Sequence, residues 1–271
     1  MNADVQQDGI ANATTESSQF DQYGRCVPRD MEAAAYVESR RYFSLVQPEI
    51  NYQETYARLN ASFDIGGSIS EQEFEQRAKA IIEKLENDSE LSSMLKGVYV
   101  PFALPKAEYS DIGTAMEDIY LPAVNKAFDE FFPEYEFTNH YPSSLTGQFN
   151  IAEDTRHESL IDAMKQDVVV GIYFPCLLEY SVPAARERIS SLPETCLLAG
   201  GYDSAAAFVA APDLLLRKDG YPPLLWLSGL DSATDNAEFH FEAYGYDLTF
   251  NRRAHLGNVA EYWASGLAVI G

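Results

Sequence analysis

Val168-Val169-Val170-Gly171-Ile172-Tyr173-Phe174 is an apolar run with no polar alternation, bounded by Asp167 on one side and Pro175-Cys176 on the other. A strand with water on one face would alternate, so this run reads as a strand covered on both faces. Leu224-Leu225-Trp226-Leu227 repeats the pattern on a smaller scale. Between and around these runs the grammar alternates. Strands are expected at 98–102, 135–139, 148–151, 196–199 and 224–228, and helices from Asp111, over 154–164, over 183–192 and over 203–216. Pro122 lacks an amide hydrogen and must kink the first of these helices or start a second.

The pattern predicts an α/β chain: a layered mixed or mostly parallel sheet with helices on both faces. An α+β arrangement around a mixed sheet is the alternative. Residues 1–25 carry no hydrophobic periodicity and are rich in Asn, Gln, Ser, Thr and Asp, which predicts a flexible acidic tail. Residues 26–271 are then a single domain, mainly helical over 26–96 and sheet-containing over 97–271. In the helical part, Met31, Ala34, Ala35 and Tyr42 predict a helix that fades by Pro48, followed by a polar stretch to Gly67. Ser70-Glu71-Gln72-Glu73 predicts a capped helix start, with Phe74, Ala78, Ile81, Ile82 and Leu85 on one face.

Lys and Arg number 19 against 42 Asp and Glu, a net charge of −23, so a polyanion or an anionic membrane is repelled over most of the surface. Met1 to Phe20 lacks the basic and apolar blocks of a secretory signal, and no run approaches the length of a membrane span, which predicts a soluble, cytoplasmic protein. Cys26, Cys176 and Cys196 are too few and too widely spaced for a disulfide framework or a zinc CxxC pair. Oligomeric state and strand order leave no signature.

Near the C-terminus, Glu238 to Asn251 predicts a β-hairpin turning at Tyr244-Gly245. Ala243 would then face Tyr246, Glu242 would face Asp247, and His240 would face Thr249. Like charges at Glu242 and Asp247 call for a cation between them. With His240 two residues from Glu242 on the same face, His240, Glu242 and Asp247 form a candidate site for a divalent metal, although a mixed polar strand face is usually just solvated.

A second candidate is Leu198-Ala199-Gly200-Gly201-Tyr202-Asp203-Ser204, where a strand enters a helix through two glycines. Free amides there would take a phosphate or carboxylate beside the Ser204 hydroxyl, unless Asp203 caps the helix itself. Cys176 and His140 each follow a predicted strand, and the carboxyl ends of strands are where ligands gather in layered α/β folds. No GxSxG or HExxH motif is present, so no reaction is named. Two functions fit these features. One is a small-ligand binder or enzyme whose site uses Gly200, Gly201, Asp203, Ser204, His140 and Cys176. The other is a noncatalytic acidic module for a basic protein partner, whose encounter acidity would steer.

Overall fold

A computed structural model describes residues 18–37, 45–216 and 222–271. Along these the chain forms α1 (Tyr52–Phe63), α2 (Glu71–Glu86), β1 (Val100–Leu104), α3 (Ile112–Ala115), a π-helical turn (Met116–Tyr120), α4 (Leu121–Phe131) and β2 (Phe137–Asn139). It continues through β3 (Phe149–Ile151), α5 (His157–Gln166), β4 (Val169–Leu178), α6 (Val182–Ile189), β5 (Leu197–Leu198) and α7 (Gly201–Ala210). The last part holds β6 (Leu224–Trp226), β7 (Leu230–Ser232), β8 (Ala237–Tyr244), β9 (Asp247–Ala254) and β10 (Trp263–Ile270). No helix among the described residues is long and apolar enough to cross a membrane.

The α/β class holds. One sheet runs in the order β1-β4-β10-β6-β8-β9-β2, with β5 also paired to β10, and β3 and β7 form a separate small pair. The sheet is mixed. Only the β10–β6 and β9–β2 pairings are parallel, so it is not mostly parallel; the β8–β9 hairpin and the reversed returns of β4 and β10 impose antiparallel ladders. Residues Val169 to Leu177 are buried without a break, and successive strand residues point to opposite faces, so both faces of β4 are covered. The contacts that cover it come from α2, α5 and α7.

Ser70 starts α2 as its sequence requires, its Oγ accepting the Glu73 amide at 3.2 Å, and Phe74, Ala78, Ile81 and Leu85 are buried. Pro122 enters α4 in its first turn directly after the π-helical turn, so the helix that begins at Ile112 is re-spaced just before the residue that cannot donate.

Three expectations are corrected. The body of the protein begins before residue 26: Phe20 is 2% and Arg25 3% exposed, and Phe20 bridges to Cys26. Residues 1–17 lie outside the described residues. The segment 29–37 is not helical; Ala35 bridges to Tyr180, and the Glu187 carboxylate takes the amides of Glu32 and Ala33 at 2.8 Å each, which holds the chain extended. Tyr42, assigned to the same predicted helix, lies outside the described residues. Finally, the stretch read as a polar linker contains α1, capped by Asn51, whose side chain accepts the Glu54 amide.

Candidate functional site

β4 is longer than its neighbour. The β1–β4 ladder stops at Val100 opposite Tyr173, leaving the edge of β4 beyond Tyr173 without a strand. Pro175 has no amide hydrogen to leave unpaired there, and the Cys176 carbonyl accepts the Cys26 amide at 2.9 Å from the N-terminal loop. The place where the ladder ends is a pocket of about 280 Å³.

Pro175, Cys176 and Leu178 of β4 form one wall, Tyr23 to Arg25 another, and Lys96 to Val98 a third, with Leu45 and Gln47 closing it. Gln47 is held by pairing with the backbone of Tyr99, donating from Nε2 to its carbonyl and accepting its amide at Oε1, both at 2.9 Å. Arg25 is a buried strut, with Nε on the Leu178 carbonyl at 3.1 Å, Nη2 on the Tyr36 carbonyl, and the Glu179 carboxylate 3.6 Å away. Lys96 is exposed, and among the described residues its ammonium reaches only the Ser93 hydroxyl, at 3.2 Å. The volume suits a small molecule at the lower end of the usual range, or roughly nine waters at ~30 Å³ each.

Cys176 thus lines a pocket. Burial, with the Cys26 and Cys196 sulfurs close by, pushes its pKa well above the ordinary range, which disfavours the thiolate, and no histidine is among the described residues that line the pocket.

The other residues singled out by sequence lie elsewhere. Gly200 caps α7 and Asp203 sits in its first turn, where its Oδ1 accepts the Gly200 amide at 2.9 Å. A Cβ at Gly200 would lie 2.5 Å from the His157 ring, and one at Gly201 would lie 2.7 Å from the Met116 sulfur. These glycines therefore serve close packing, and the expected anion cradle is absent: every residue of α7 is buried and an aspartate fills the turn. His157, the first residue of α5, is buried in this packing, its Nδ1 3.2 Å from the Leu198 carbonyl. Asp203 Oδ2, the Ser204 hydroxyl and the hydroxyls of Tyr120, Tyr173 and Tyr202 are buried and have no hydrogen-bond partner of good geometry among the described residues. His140 is exposed at the end of β2, its amide on the Phe250 carbonyl at 2.8 Å, and is not among the residues that line the pocket with Cys176.

The hairpin forms, but its register differs from the expected one by two residues. Tyr244 pairs with Asp247, Glu242 with Thr249 and His240 with Asn251, and the turn is Gly245-Tyr246 with Gly245 at φ +67°. A turn with glycine first and φ positive there matches the strand twist, which the turn at Tyr244-Gly245 would not. The Glu242–Asp247 repulsion therefore does not arise. Asp247 accepts the Glu136 amide at 2.9 Å, away from the other two. Glu242 joins His240 at 3.3 Å and Arg253 at 3.2 Å; burial raises its carboxyl, but the His240 bond and the Arg253 charge prevail and hold its pKa below the ordinary value. Burial also lowers the pKa of His240, against the opposing pull of Glu242, where its ring packs against Trp226 at 5.0 Å. Among the described residues no three metal-ligating side chains converge.

Compared with protein families, curated proteins and solved structures, the chain matches no family model, no curated protein and no solved structure.

Proposed function

We propose that the chain binds a small, largely apolar molecule carrying one anionic group, in the pocket where β4 outruns β1. The observation that supports this reading is the charge of the lining. In a chain with 42 acidic residues, the described residues of the pocket wall include Arg25 and Lys96 and no carboxylate, over an apolar surface of Leu45, Val98, Pro175, Cys176 and Leu178. Glu179 neutralises Arg25, which leaves the Lys96 ammonium at the rim as the group that would meet the anion. A protonated Cys176 fits binding and not covalent chemistry.

Octanoate, octanol and octylamine, matched in apolar body, test the reading by thermal shift. A ligand that binds only the folded chain stabilises it by ~2.7 kcal/mol at a hundredfold excess over Kd. Octanoate is expected to raise Tm most and octylamine least. Val98→Trp, which fills the pocket, is expected to abolish the shift, and Lys96→Gln to level octanoate with octanol. Equal shifts for all three ligands in wild type, or an octanoate shift that survives Val98→Trp, would overturn it.

A further inference from the structure

At the far edge of the sheet from the pocket, aromatic rings continue outward from the core. Phe131 and Phe132 at the end of α4 touch at 4.8 Å, Phe132 meets Tyr135 at 5.9 Å, and Tyr135 stacks on Tyr246 of the hairpin turn at 5.1 Å. Tyr244 stands beside the same turn. Phe131, Tyr244 and Tyr246 are 44%, 78% and 42% exposed. Rings of this size in a row on the surface mark a contact site more often than chance exposure does.

The charge around them is mostly acidic. Residues 127–139 carry Asp129, Glu130, Glu134 and Glu136 with no Lys or Arg, and residues 240–251 add Glu242 and Asp247, again with no Lys or Arg. Asp129, Glu130, Glu134 and Glu136 are exposed, and none of the four has an ion-pair partner among the described residues. The chain also shows how a cation sits on this ridge: the Arg58 guanidinium lies over the Phe131 ring, 5.9 Å from its centre. We infer that this ridge docks an arginine-bearing segment of a basic protein partner, guanidinium planes stacking on Tyr244, Tyr246 and Phe131 while the flanking carboxylates take their N–H groups. Arginine is preferred over lysine because only its planar, weakly hydrated head both stacks and pairs bidentately. The inference is independent of the pocket.

Octa-arginine and octa-lysine titrated into the whole chain by calorimetry test it, since general attraction to an acidic protein treats the two peptides alike. Glu130→Gln/Glu134→Gln/Glu136→Gln is compared with Glu71→Gln/Glu83→Gln/Glu86→Gln, which removes the same charge from exposed positions of α2. The ridge triple is expected to weaken octa-arginine about tenfold and the α2 triple less than about twofold. Tyr244→Ser/Tyr246→Ser, at exposed positions where folding is spared, is expected to erase the preference for arginine. Equal losses in the two triples, equal affinity of wild type for the two peptides, or no binding at low salt would overturn the proposal.

Discussion

The backbone of Gly24 lies against that of Gly97 so closely that a Cβ on Gly24 would sit 2.3 Å from the Gly97 nitrogen. Both glycines line the pocket, and the contact fixes the wall formed by the N-terminal loop. Gly24 also has φ +78°, whereas Gly147, at φ +70°, has nothing within 4 Å of the same position. Comparing alanine at the two sites separates backbone conformation from contact. Gly147→Ala is expected to cost about 1–2 kcal/mol, the left-handed penalty alone. Gly24→Ala is expected to cost at least about 1–3 kcal/mol more, for the overpacking. It should also abolish the octanoate shift. Equal losses in denaturant unfolding would show that the loop does not rest on Gly97.

Glu238 is buried beside Arg186 Nη2, 3.2 Å away, and accepts the Ser232 amide at 3.2 Å. Burial outweighs these partners and pushes its pKa from 4.5 to about 8. The folded chain therefore keeps the proton while the unfolded chain releases it. The stability this group contributes is full below about pH 4.5 and is lost as pH rises to about 8, by ~1.4 kcal/mol per pH unit at most. Glu238→Gln cannot ionise and is expected to lack this slope. Unfolding free energies of the two chains at pH 5 and pH 8 check it, and parallel pH dependence would refute the shift.

How far the sequence reaches is visible in particular residues. The buried run at Val168–Phe174 and the cap at Ser70 are local signals, and β4 and α2 form where they point. β10 was not legible, because Trp263-Ala264-Ser265-Gly266-Leu267-Ala268-Val269 is covered on both faces and its small residues show neither alternation nor a β-branched cluster. The hairpin register was ambiguous for another reason: a displacement of two residues keeps every side chain on its face, so the apolar pattern fits both pairings and only the turn decides. Cys176 was reachable as a residue expected to follow a strand, although β4 runs on through it to Leu178. Tyr23, Leu45, Gln47 and Lys96 were not, since they come from separate loops that only the early end of β1 brings together.

Asp203 offers a test of the α7 turn. Its Oδ1 holds the Gly200 amide, and its Oδ2 lies buried with no hydrogen-bond partner of good geometry among the described residues. Asparagine keeps the acceptor and removes an ionisable oxygen whose pKa burial raises, although the His157 charge and nearby amides oppose this in part. Asp203→Asn is therefore expected to change stability by less than ~1 kcal/mol. Asp203→Ala, which orphans the Gly200 amide and leaves a cavity, is expected to cost ~2–3 kcal/mol. Equal costs in thermal or denaturant unfolding would show that the cap bond contributes nothing.

The three cysteines test whether the pocket binds or reacts. Burial raises the pKa of all three thiols, Cys196 to about 12, and Cys176 keeps only 5% of its surface open although it lines the pocket. At pH 8 a thiol of pKa about 12 is ionised in only ~1 molecule in 10⁴, and the thiolate is the species that attacks. Native chain treated with a disulfide reagent is expected to label far below one equivalent over minutes, and chain in guanidinium to label at all three positions. Octanoate should leave the slow native rate unchanged at Cys196 and lower it at Cys176, where the alkyl chain would lie against the sulfur. Rapid single labelling at Cys176 in the native chain would mean a thiolate stabilised in the pocket, and the reading would then have to move from binding to nucleophilic chemistry.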